Sequence, residues 1–145
     1  MKLAICTDVF ADLSYTDMLD KVKSLGIDAV EMTAGGWGAR KHCNTAELLA
    51  DEGKRKEFMG ELEKRGMRIS ALNTSCNPLW PSKTGEEYKK SMYDCATLAG
   101  LLGVKKIVAM AGLRPATRPT PSRTGSPLPF PGRTLWLRLT STSGR

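Results

Sequence analysis

Along the first 112 residues, apolar positions fall into two alternating rhythms: short continuous runs, and longer stretches in which they recur every three or four residues. The short runs are Leu3 to Thr7, Ala29 to Met32, Met67 to Asn73 and Val104 to Ala111. Such runs read as parallel strands buried on both faces. The stretches between them read as helices with recognisable starts. Ser14 precedes Tyr15, Thr16 and Asp17 in a capping-box-like pattern, and Met18, Val22 and Leu25 then share one face. Asp51 is placed to cap a second helix whose apolar face is Phe58, Met59 and Leu62. Thr84 is placed to cap a third, with Glu86 and Glu87 against the positive end of its dipole and Tyr88, Met92, Cys95, Leu98 and Leu102 as its stripe. The element order is β-α-β-α-β-α-β.

A repeat underlies this order. Leu25-Gly26-Ile27-Asp28-Ala29-Val30, Arg65-Gly66-Met67-Arg68-Ile69-Ser70 and Leu102-Gly103-Val104-Lys105-Lys106-Ile107 share one grammar, a helix end, a glycine, an apolar residue, a charge and a strand. The glycines stand 40 and 37 residues apart, each where a helix end calls for a residue at positive φ. Strands and helices alternating with a period near 40 imply a parallel sheet with right-handed crossovers, either a barrel or a doubly wound sheet. The first strand lacks a G-x-G-x-x-G turn, which argues against dinucleotide binding.

After Gly112 the pattern stops. Residues 113–145 hold six of the eight prolines and six arginines among Ser, Thr and Gly, with no Asp, Glu or Lys. That composition reads as disorder. It is also what translation in a shifted frame yields, so the tail is expected to be disordered or a frameshift product. Only Leu135 to Leu139 has a strand-like look. The formal net charge of +7 resides mainly here, since the tail carries +6 and residues 1–112 balance 16 basic against 15 acidic side chains. The basic signal therefore says little about the folded part, and the tail lacks the aromatic rhythm of a nucleic-acid binder.

No apolar run approaches the roughly 20 residues of a membrane span, and Met1-Lys2 leads directly into the first strand without a signal-peptide core. The expected location is the cytoplasm, away from any membrane. Cys6, Cys43, Cys76 and Cys95 form no C-x-x-C pair and are expected to be free, buried thiols.

The residues Ala4-Ile5-Cys6-Thr7-Asp8, Leu25 to Glu31, Gly35-Gly36-Trp37, Ser70-Ala71-Leu72-Asn73 and Asn77-Pro78-Leu79 resemble the N-terminal half of sugar phosphate isomerases/epimerases with the xylose isomerase-like TIM barrel. The resemblance implies an α/β fold, a partial (β/α)8 barrel of about four βα units over residues 1–112, followed by the tail. A complete barrel takes about 250 residues, so the chain reads as a truncated one, weakly active or inactive. The family activity it implies is isomerase or epimerase chemistry, proton transfer next to a sugar carbonyl. That chemistry is assisted by a divalent metal (Mn, Mg, Zn or Co) whose ligands come mostly from later strands. Family members often carry a histidine after the Asn-Pro-Leu segment; here Leu79-Trp80-Pro81 has none.

In a barrel the site lies at the C-terminal ends of the strands. The expected substrate-binding residues are Glu31, Trp37, Asn73 and Asn77, with Asp8 and Ser75 beside them; no metal ligand is assigned. Glu31 stands out because a carboxylate between Val30 and Met32 is costly to bury without a partner. Trp37, in Gly35-Gly36-Trp37-Gly38, is suited to stack on a sugar face, and the glycines to bring backbone N–H groups to a phosphate. His42, the only histidine, sits in the charged run Arg40-Lys41-His42-Cys43 and is expected to face solvent. The expected partner is a small sugar or sugar phosphate, with self-association through an unpaired edge beyond the fourth strand. The alternatives are a non-catalytic binding module with a basic tail, or a relic of the metal-dependent abasic-site endonucleases of the same superfamily.

Overall fold

The computed structural model describes residues 3–38 and 40–110, together with the backbone of 134–138. Four parallel strands, β1 (Ile5–Cys6), β2 (Ala29–Gly36), β3 (Arg68–Ser75) and β4 (Lys106–Met110), alternate with helices α1 (Tyr15–Ser24), α2 (Thr45–Ala50), α3 (Glu52–Lys64) and α4 (Lys83–Leu101). With β5 (Thr134–Arg138) the sheet order is β1-β2-β3-β4-β5, in chain sequence. A doubly wound sheet reverses its order at a switch point. Among the described strands this one does not.

The three repeat glycines do what their positions demand. Gly26, Gly66 and Gly103 have φ of +75°, +60° and +68°, and each turns a helix into the following strand. Ser14 caps α1 by accepting the Asp17 N–H at 3.2 Å, and Asp51 caps α3 by accepting that of Lys54 at 3.2 Å. The expected cap at Thr84 is displaced: Ser82 caps α4, accepting the Gly85 N–H. The chain doubles back there, with the Trp80 backbone lying against Gly85 so closely that a Cβ would collide with it. The short helix α2, capped by Asn44, had no separate expectation.

All four helices pack on one face of the sheet. Met18, Leu19 and Val22 of α1, Leu48 of α2, Phe58 and Leu62 of α3, and Cys95, Leu98 and Ala99 of α4 join Val30, Met32, Ala34, Leu72 and Ile107 in one buried cluster. On the opposite face of the sheet stand Cys6, Glu31, Thr33, Ala71, Asn73 and Val108, the positions of opposite parity.

Two bulges set that parity. Val30 pairs with Ile69 but Glu31 with Ala71, so Ser70 is an extra residue in β3; Thr33 pairs with Asn73 but Gly35 with Thr74, so Ala34 is extra in β2. The carbonyls at both irregularities are satisfied by hydroxyls, Val30 by Ser70 at 2.9 Å and Ala34 by Thr45. Without the first bulge, Leu72 would leave the helix-facing core and Asn73 would enter it.

The tail lies mostly outside the described residues. Within them, Thr134–Arg138 forms β5 and pairs antiparallel with β4, from Lys106 opposite Arg138 to Met110 opposite Thr134. The β4 edge, expected to be unpaired, is therefore occupied, by a segment overlapping the strand-like stretch Leu135 to Leu139. Among the described residues no helix is long and apolar enough to cross a membrane.

Candidate functional site

The helix-free face of the sheet collects polar groups at its C-terminal end. Asn73 Nδ2 donates to Glu31 Oε1 at 2.6 Å, and Ser75 Oγ donates to Asn73 Oδ1 at 2.6 Å. The amide is thereby fixed in one orientation, nitrogen to the carboxylate and oxygen to the hydroxyl. This is how the sheet accommodates a half-buried carboxylate between Val30 and Met32. Glu31 Oε2 has no donor among the described residues. It is an acceptor without a partner among those residues.

Around this chain stand Thr33, 3% exposed, and Cys6, whose sulfur lies 3.9 Å from the Thr33 hydroxyl. The turn Thr7–Phe10 after β1 brings in Asp8. The Asp8 carboxylate and the Thr33 methyl both lie against the Cα of Gly38, where a side chain would displace them. The loop after β2 thus closes over the sheet end.

Trp37 is tied to the site through its backbone and to α4 through its ring. Its N–H donates to the Ser75 carbonyl at 3.0 Å; its indole Nε1 donates to the Tyr88 hydroxyl at 2.6 Å, with the two rings edge to face at 6.2 Å. One turn further along α4, Ser91 Oγ accepts the Gly36 N–H at 3.1 Å and shares a hydrogen bond with Thr74 at 3.3 Å. Trp37 remains 57% exposed, and Leu79 and Trp80 of the loop after β3 are also exposed. An apolar rim therefore stands above a polar floor.

Of the four expected substrate-binding residues, Glu31 and Asn73 are joined directly and Trp37 is held beside them. Asn77 is different: its Oδ1 accepts the Leu79 N–H at 3.1 Å, so its acceptor shapes the loop. His42 is not solvent-facing as expected. It is 6% exposed, and its Nε2 donates to the Leu13 carbonyl at 3.1 Å, because the turn Arg40–His42 tucks the ring beneath the loop after β1. Tyr88 and Ser91 were missed because a helical stripe says which residues face inward, not which of them meet a loop.

Three thiols are sealed in. Burial pushes Cys43 up to about 11 and Cys95 up to about 12, and raises Cys76 too, whereas Cys6 is half-buried on the helix-free face. A cleft of about 660 Å3 lies between α1, α2 and α3, lined by Tyr15, His42, Leu48 and Phe58. It is on the helix side, and its polar groups are paired: the Tyr15 hydroxyl donates to the Phe58 carbonyl at 2.9 Å and Lys54 meets Glu57 at 3.1 Å. The polar sheet end is the better candidate, since there an acceptor stands open.

These features define a singly wound parallel α/β protein with a polar, aromatic-rimmed site at the C-terminal ends of its strands. No protein-family model matches the chain. It is similar to the uncharacterized protein YfiH of Bacillus subtilis (strain 168), 49% identical over 113 residues, which are 78% of this chain and 36% of that protein. The chain thus spans little more than a third of the length of that curated relative.

Proposed function

We propose that the chain is the opening half of a (β/α)8 barrel of the sugar phosphate isomerase/epimerase type, and that its site binds the hydroxyl groups of a sugar. One observation carries the reading: the Ser75–Asn73–Glu31 hydrogen-bond chain, at the C-terminal end of a sheet whose strand order runs 1-2-3-4 without reversal. A sheet wound in one direction gathers its helices on one face. Closing on itself is how such a sheet covers the other.

In this reading Glu31 Oε2 accepts a sugar hydroxyl, Asn73 holds the carboxylate in place, and Trp37, braced by Tyr88, covers the apolar face of the ring. The divalent metal implied by the resemblance is not fitted by these residues. Among those described, no three His, Cys, Asp or Glu side chains converge as ligands. In the resemblance its donors come mostly from later strands. The chain alone is accordingly a sugar-binding half with little or no isomerase activity.

Saturation-transfer NMR tests this. A panel of aldoses, ketoses and their phosphates is expected to include ligands that contact the protein, with affinity reduced about tenfold or more in Glu31→Ala, the loss of one hydrogen bond to a charged acceptor. A panel with no binder, or binding indifferent to Glu31, removes the reading.

A further inference from the structure

Resting on the sugar-binding reading, we infer that the ligand of this site is a sugar joined to an aromatic group, an aryl glycoside. The sugar lies on the Glu31–Asn73–Ser75 floor and the aromatic group against Leu79 and Trp80. A bare sugar gives the floor its role and leaves that part of the rim without one.

Large apolar side chains exposed one at a time are ordinary; grouped beside a polar site they mark where a ligand sits. Leu3, Leu25 and Leu101 are exposed at the opposite end of the sheet, where the strands begin. Trp37, Leu79 and Trp80 are exposed together on two neighbouring loops at the end that carries the site. Gly36 pairs with Ser75 at the ends of β2 and β3, so these loops leave the sheet side by side. Both then rest on the start of α4. The Trp80 backbone lies against Gly85, and the Trp37 indole donates to Tyr88 one turn further along. The two tryptophans are thereby anchored to one face of one helix.

The loop after β3 is built to hold its side chains outward. Asn77 closes two turns in it, Oδ1 accepting the Leu79 N–H at 3.1 Å and the carbonyl accepting the Trp80 N–H at 3.3 Å. The Trp80 carbonyl accepts the Ser82 N–H at 2.9 Å, and Ser82 caps α4. Gly85 keeps the turn down on the helix, since a Cβ there would strike the Trp80 carbonyl. With these backbone groups paired inside the loop, what it presents is the isobutyl group of Leu79 and the indole of Trp80. Holding both in water is unfavourable, and an apolar group on the ligand removes that cost. An aromatic ring suits an indole best, through offset stacking or edge-to-face contact. Trp37 links the two halves, with its N–H on Ser75 beside the floor and its ring on α4 beside the loop.

The test compares glycosides that differ only in the group attached. Methyl and phenyl glycosides of D-glucose, D-galactose, D-mannose and D-xylose, the free sugars and phenol are titrated into the full chain by isothermal calorimetry. For a sugar that binds, the phenyl glycoside is expected to bind about tenfold or more tightly than its methyl counterpart. Leu79→Ala/Trp80→Ala should bring the two to equal affinity and leave the methyl glycoside as in the wild type, whereas Glu31→Ala should weaken both. Both loop side chains are exposed, so the double variant keeps its unfolding midpoint; Trp80→Phe, which retains an aromatic face, should keep most of the preference. Phenyl glycosides no tighter than methyl ones, a preference that survives in the double variant, phenol binding as tightly as the phenyl glycosides, or binding of free sugars without any glycoside overturns the inference and leaves sugar binding standing. A chain that binds no sugar, free or linked, overturns the sugar-binding reading itself and this inference with it.

Discussion

Buried side chains here are chemically quiet and the half-buried ones are not, which is clearest for the thiols. Cys43 and Cys95 lie in the apolar core, Cys76 is buried against the Thr74 hydroxyl and the Tyr88 carbonyl, and burial raises all three. A neutral thiol is a poor nucleophile. Cys6, half-buried on the helix-free face, is the thiol a reagent reaches first. Treatment of the native chain with a chromogenic disulfide at pH 8 should label Cys6 in minutes and the other three only after unfolding, as counted by mass spectrometry. The same shifts fix a pH dependence. An acid whose folded pKa is raised above its ordinary value of 9.0 stabilises fully below that value, and the stability is lost as pH rises toward about 11 and 12, because the unfolded chain releases the protons first. Thermal unfolding midpoints should therefore fall above about pH 9, and fall less steeply in Cys43→Ala than in the wild type.

Glycines of this chain answer to their elements, and two of them separate conformation from contact. Gly66 ends α3 at φ +60° and a Cβ there meets nothing; Gly60 lies inside α3, also with open space around it. Gly66→Ala should cost about 1 kcal/mol through left-handed strain alone. Gly60→Ala should stabilise by roughly 0.5 to 1 kcal/mol through helix propensity. Urea denaturation measures both, and equal signs would mean that a contact absent from this fold governs one of them. The positive φ at Gly66 was legible in the sequence because the same signal occurs at Gly26 and Gly103. The bulges were legible only in part. Ile69 and Leu72 are both apolar and three apart, a spacing that a regular strand cannot point to one side, yet nothing local says that Ser70 is the residue to step out. The site inherits this gap. Glu31 and Asn73 were each nameable from their position at a strand end, but their contact follows from the bulge, and the bracing of Trp37 by Tyr88 and of Gly36 by Ser91 follows from where α4 lies.

At the scale of the whole molecule the question is what ends the sheet. A parallel sheet that grows in one direction presents a fresh edge after every strand, and exposed edges template pairing with other chains. The outer edge at β1 is only two residues long, Ile5–Cys6, too short to hold a foreign strand. The other edge, β4, is five residues and is covered by β5 over its full length, in the antiparallel sense. An antiparallel partner satisfies the same backbone groups that a fifth parallel strand of a barrel would. The β5 pairing and barrel continuation are therefore alternatives at one edge, and the pairing keeps the edge from other molecules. The double variant Trp136→Pro/Leu137→Pro removes two adjacent N–H donors from β5, so one of them must be a ladder donor whichever way the strand alternates. Light scattering during size-exclusion chromatography should show the wild type as a monomer and the variant as dimers or larger species, increasing with concentration. A variant that stays monomeric would mean that β5 is not what protects β4.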